Sequence, residues 1–155
     1  MRWNKISPLA AMAVGLALAQ ATSGTPTLRA DDEAPKACSN RTLSGDYGSA
    51  IDGAIVPPSP APSLLLRGLV MQHFDGHGNF SQVDFVTLNG APEGSDWRPG
   101  TGTYAVNPDC TGTAVINFND GTPSLHTRLL VVDGGRQVMG LVEGIATGSI
   151  GIRVR

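Results

Sequence analysis

The sequence predicts an all-β domain, an eight-stranded antiparallel up-and-down barrel, and three observations carry that expectation. Gly accounts for 20 of the 155 residues, while charged residues make up 15% and aromatics 5%, the balance of many short strands joined by tight turns. Turn signals cut the chain beyond residue 43 into eight segments of strand length, none with a sustained helical period. The connections are mostly as short as hairpins need, and eight strands joined in sequence can close into a barrel that has no edges. A β-sandwich is the competing architecture, but it usually needs a long Greek-key crossing that these connections do not offer.

The segments follow in order. Residues 43–56 end at Pro57-Pro58-Ser59-Pro60-Ala61-Pro62, a run that cannot join a ladder and reads as a stiff extended loop. Residues 64–74 lead to the turn Asp75-Gly76-His77-Gly78, and residues 79–88 lead to a long polar loop over 89–100. Three short segments, 101–106, 111–118 and 125–132, are separated by Asn107-Pro108-Asp109 and Asn119-Asp120-Gly121. After Asp133-Gly134-Gly135 come 137–146 and 149–154. In 110–118 the set Cys110, Gly112, Ala114, Ile116 and Phe118 opposes Thr111, Thr113 and Asn117, which puts the first set in the core. In 64–74 both alternating sets are apolar, Leu64, Leu66, Val70 and Phe74 on one side and Leu65, Leu69 and Met71 on the other. Such a strand needs cover on both faces, from the N-terminal segment or from a second copy in a homo-oligomer.

The N-terminus sets the compartment. Arg2 and Lys5 precede an apolar run over residues 8–19 that ends in small residues, the pattern of a Sec-type signal peptide. The run is shorter than the roughly 20 residues of a membrane-spanning helix, so no stable membrane anchor is expected after cleavage. Cleavage fits after Ala19 or after Ala21. The organisation is therefore a signal peptide over 1–21, a flexible N-terminal segment over 22–42 and a β-barrel over 43–155, in the periplasm or outside the cell. Without Arg2 and Lys5 the chain keeps 9 basic and 13 acidic residues, a net charge of −4, which argues against nucleic acid as a partner. Cys38 and Cys110 are the two cysteines, and an even count in an oxidising compartment reads as one disulfide.

Cys38 with Leu43-x-Gly45-x-Tyr47, the Asp75-Gly76-x-Gly78 turn, and the block Gly102-Thr103-Tyr104-x-Val106-Asn107-Pro108-Asp109-Cys110-Thr111-Gly112 together resemble a family of small exported bacterial proteins of unknown function. The resemblance spans nearly all of the chain beyond the signal peptide, and the Gly-Thr-Tyr to Cys-Thr-Gly block is its most specific part. Size and strand count are also similar to calycin and allene-oxide-cyclase-type barrels, at the level of fold alone. The resemblance implies a bacterial envelope or secreted protein and implies no activity.

The chain carries no nucleophile elbow, zinc-protease motif, phosphate-cradling loop or dinucleotide fingerprint, so no cofactor is expected. His73-x-Asp75-x-His77 places three metal-ligand types at alternating positions, but the Asp-Gly-His-Gly turn rotates His77 away from His73, and no metal site is expected. Glu143 and Asp84 are the candidate catalytic residues, because a carboxylate inside a barrel has a raised pKa and can serve as acid or base. Each sits on a strand with two apolar faces, so the sequence leaves its direction open. Tyr104, flanked by Gly102 and Val106, and Trp97 in the 89–100 loop are the candidate ligand-binding residues, with core packing and rim packing as their structural roles. Three functions follow from these features. The first is an exported barrel that binds a small apolar molecule; the second is a cofactor-independent cyclase- or isomerase-like enzyme; the third is a structural or interaction protein with a filled core.

Overall fold

The computed structural model describes residues 37–154. The expected signal peptide, and all of the N-terminal segment before residue 37, lie outside the described residues. Among the described residues nine strands form, β1 (Ser44–Ile55), β2 (Leu64–Asp75), β3 (Asn79–Leu88), β4 (Ala91–Pro92), β5 (Arg98–Val106), β6 (Thr111–Phe118), β7 (Leu125–Val132), β8 (Gln137–Val142) and β9 (Ala146–Arg153). Every pairing is antiparallel, and eight of the strands close on themselves in the order β2-β1-β9-β8-β7-β6-β5-β3, with β2 pairing back to β3. The ring is the expected barrel, and the two-residue β4 lies outside it against the end of β3.

Three strand boundaries differ by more than one residue from the sequence reading. Strand β5 begins at Arg98 because Pro99 and Arg98 continue the register opposite Val83 and Asp84; a proline is tolerated there because the strand is only starting. The segment expected over 137–146 is broken after Val142 by a tight turn at Glu143, Gly144 and Ile145, with Gly144 at φ +80°. The apolar Ile145 hid that turn. The last strand starts three residues earlier than expected, at Ala146.

Alternation sorts the side chains. Tyr47, Ser49, Leu66, Val70, Phe74, Phe80, Gln82, Asp84, Tyr104, Ala114, Thr127, Val131, Val138 and Thr147 point inward and are buried. On β2 the outer set Leu65, Leu69 and Met71 is exposed, so nothing among the described residues supplies the cover expected there. Register extends this strip around the ring, from Phe85 through Leu69, Ala50, Ile150 and Met139 to Leu130.

One end of the barrel is filled. There Phe74 packs against Tyr47, Phe80 and Tyr104 with ring centroids 5.0–5.4 Å apart, and Leu43 and Tyr47 are wholly buried. Gly102 faces this cluster and must lack a side chain, since a Cβ would collide with the Phe80 ring and the Val115 carbonyl. A short 3-10 turn, Asn40–Thr42, caps the end. The Cys38–Cys110 disulfide and the Cys38 N–H donating to the Pro108 carbonyl at 3.0 Å tie this cap to the β5–β6 turn. Arg153 from β9 donates to the Thr42 carbonyl at 3.1 Å and to the Tyr47 hydroxyl at 3.0 Å, and that hydroxyl donates to the carbonyl of Gly135. Residues 38–42, read from sequence as part of a flexible segment, are thus built into the closed end.

Candidate functional site

The half of the barrel nearest the loops at 56–63, 89–97, 119–124 and 143–145 is not filled. Small or short inward residues there, Ser49, Val70, Thr127, Gly140 and Ser149, leave a cavity of about 130 Å³. Its walls are mostly aliphatic, with Leu66, Val86, Ile116, Leu125, Leu129 and Val142 contributing from five strands. This fits the pattern of small-molecule sites, in which apolar walls carry a few placed polar groups.

Four of the polar groups in its lining, Gln72, Gln82, Asp84 and Arg98, form one chain along β2, β3 and β5. Gln72 donates to Gln82 at 3.1 Å, and Gln82 donates to Asp84 at 3.3 Å. Arg98 meets Asp84 with two bonds, Nε to Oδ1 at 2.9 Å and Nη2 to Oδ2 at 3.1 Å, the fork geometry that makes such pairs strong. The guanidinium also stacks on the Phe118 ring at 3.9 Å and lies 3.6 Å from Asp120. Burial opposes its charge, but the hydrogen bonds and charge of Asp84, joined by Asp120, outweigh burial and hold the Arg98 pKa above its ordinary value. Asp120 is itself held below the usual carboxylate range, chiefly by hydrogen bonds from the Thr122 hydroxyl and N–H and further by Arg98. Beyond this pair an outer groove runs past Glu93, Ser95, Asp96, Asp120 and Thr122. The Asp84–Arg98 pair lines both spaces and so stands between the apolar interior and an acidic rim.

The residues singled out from sequence separate in space. Asp84 faces inward with its side chain only 4% exposed, and both its oxygens are engaged by Arg98. Glu143 lies in the β8–β9 turn, exposed, paired with Arg128 on the outer surface. Tyr104 sits at the closed end, where its hydroxyl donates to the carbonyls of Leu43 at 2.7 Å and Asn40 at 3.1 Å, and burial pushes its pKa up. It does not line the cavity. Trp97 is half-exposed on the outer rim, its ring 6.1 Å from that of Phe85, and it does not line the cavity either. His73 pairs with Asp46 at 2.7 Å, while both Asp75 oxygens accept bonds from His77 and Asn79 within the turn. Among the described residues no group of three or more His, Cys, Asp or Glu is arranged to hold a metal.

Gln72, Gln82, Arg98, Thr127 and Thr147 emerge only from the structure. The signal for Gln82 was present, since it alternates with Phe80 and Asp84 on one face. Thr127 and Thr147 had no such signal, because threonines that face out on other strands, such as Thr101 and Thr103 on β5 and Thr111 and Thr113 on β6, look the same in sequence. Comparison with protein-family models, with curated proteins and with solved structures gave no match.

Proposed function

We propose that this is an exported barrel protein that binds a small, largely apolar molecule in its interior. The observation that carries the reading is the unfilled loop-side half of the barrel, a cavity of about 130 Å³ with aliphatic walls above a tightly packed aromatic floor. Export is supported by the Cys38–Cys110 disulfide, a bond that persists in oxidising compartments, together with the apolar leader at residues 8–19. The exposed outer row from Leu69 to Leu130 supports a second property, packing against another copy of the chain; sedimentation at micromolar concentration tests it, and a monomer throughout would refute it.

Toluene titrated against methyl-labelled protein tests the binding reading directly. Saturable shifts are expected at the methyls of Val70, Val86, Leu129 and Val142, and none at Leu43 on the closed end. Trp97 emission should stay constant, because its ring packs outside against Phe85. No shift at the four cavity methyls at saturating toluene would overturn the reading.

A further inference from the structure

Gly48 stands in the middle of β1 with no reason for glycine inside its own chain. Its pairing is regular on both sides, opposite Met71 on β2 and Ile152 on β9, so it marks no bulge. A Cβ there would meet the Val154 side chain at 3.5 Å, an ordinary contact. At Gly53, Gly102, Gly112 and Gly151, by contrast, a Cβ would come within 2.2–2.6 Å of a neighbouring atom. A glycine inside a strand weakens it, and where no contact within the fold requires one it marks the close approach of something else. The next outward residue on β1, Ala50, is also small.

These two positions form the floor of a groove on the outer surface. Leu69 and Met71 wall it on β2 and Ile150 and Ile152 on β9, each between 44% and 61% exposed. Register places Leu69, Ala50, Ile150 and Met139 in one row over β2, β1, β9 and β8. A two-fold axis parallel to the strands, midway between β1 and β9, lays this row on its own reverse, so that Ala50 faces the partner's Ile150 and Leu69 faces the partner's Met139, and the converse. Gly48 meets the partner's Ile152 in the same way. Such mutual exchange is what an isologous interface requires. Charged residues stay at the two ends of the groove, as the pairs Arg67–Asp52 at 2.9 Å and His73–Asp46 at 2.7 Å, the polar rim of an apolar centre.

Leu69, Met71, Met139, Leu141, Ile150 and Ile152 are 38–61% exposed. Together they offer on the order of 600 Å² of apolar surface, at the top of the range of roughly 300–600 Å² for the largest patch on a monomer and approaching the roughly 800 Å² that each partner buries in a stable complex. A lipid bilayer is a poor occupant, because a membrane-embedded barrel needs its apolar band on every strand, whereas β5 and β6 turn Thr101, Thr103, Thr111 and Thr113 outward. We propose that two copies of this chain dock face to face through β2, β1, β9 and β8, the Ile150 and Ile152 ridge of each seated in the Gly48 and Ala50 groove of the other. This rests on the reading that the outer apolar row packs against another copy, and it is independent of what the interior binds.

Sedimentation of the wild type and three variants at micromolar concentration tests the interface. The wild type should form a dimer. Gly48→Val fills the groove and should weaken association by about a hundredfold, since the two-fold makes each overpacked site count twice. Its Tm at dilutions where both proteins are monomers should be no lower than that of the wild type, because a β-branched residue suits a strand. Ile150→Thr cuts back the ridge and should also weaken the dimer; it decides alone if Gly48→Val does not fold. Thr103→Lys, on the threonine side of the barrel, should leave association unchanged. A dimer that tolerates both Gly48→Val and Ile150→Thr, or one that Thr103→Lys weakens as much, would overturn this interface while leaving self-association in place. A monomer throughout would overturn both, with the toluene titration still deciding interior binding.

Discussion

Replacing Leu129 by Phe probes the empty interior through the sign of its effect. Leu129 points into the cavity, and its cross-strand neighbours facing the same way are Gly112 on β6 and Gly140 on β8, so a larger side chain meets no neighbouring side chain at its base. The change adds three carbons. At about 0.8 kcal/mol for each buried methylene, full burial puts the ceiling near 2.4 kcal/mol. Some of that is lost to the fixed ring geometry, so a gain of about 1 kcal/mol is expected, or about 4 °C in Tm for a domain of this size. Urea unfolding of the wild type and the variant, with m unchanged, measures it. Toluene binding should weaken in the same variant, because the ring takes up the ligand's space. In a filled core the same substitution overpacks and costs about 1 to 3 kcal/mol. A loss in that range with toluene affinity intact would refute both the cavity and the function built on it.

The Asp84–Arg98 pair should break asymmetrically: Arg98→Met strands a carboxylate that is 4% exposed and should cost about 3 to 5 kcal/mol. Asp84→Asn leaves a guanidinium that still reaches water, Asp120 and Thr122 and should cost only about 1 to 2 kcal/mol; equal losses in urea titrations would contradict this account. Converting Cys38 and Cys110 together to Ser should lower stability by about 4 kcal/mol for a bridge spanning 72 residues, and a loss under about 1 kcal/mol would show that the buried Leu43 and the Tyr104 bonds hold the cap unaided. Asp75 is held well below the usual carboxylate range by the Asn79 side chain and by the N–H groups of Asn79 and His77, so its contribution is present at neutral pH and declines once the pH falls below about 4, where the unfolded carboxyl takes up its proton first. The Tm gap between wild type and Asp75→Asn should therefore narrow between pH 6 and pH 2, and a constant gap would remove Asp75 from the acid response.

The fold was legible wherever one face of a strand alternates cleanly. Residues 111–118 show this best, since Gly112 and Ala114 are buried as their pattern predicts while Thr111 and Thr113 face out. Legibility failed where apolar residues occupy a turn, as at Ile145, or where a charged residue opens a strand, as at Arg98. The site was harder to read for the same reason. Asp84 lies on the face of Phe80, which the structure puts inside, but Arg98 was read as loop, so the partner that holds both Asp84 oxygens could not be foreseen. Tyr104 pointed inward as expected, yet position along the barrel axis decides whether an inward residue meets cavity or floor. Alternation reports the face of a strand and carries no information on height.

The ring is closed by β1 pairing with β9, through partners such as Ala50 with Ile150 and Tyr47 with Arg153. Those contacts join segments about a hundred positions apart, so closure waits until residue 146 and beyond have been delivered. Until then a growing chain is an open sheet with bare amide groups along β1, the kind of edge that recruits other strands. Long-range closure of this kind is slow, because the entropy of a large loop must be overcome before the pairing rewards it. On the export proposed above, that delay keeps the chain threadable while it is incomplete, and its interior forms only once the strands on both sides of the seam have crossed.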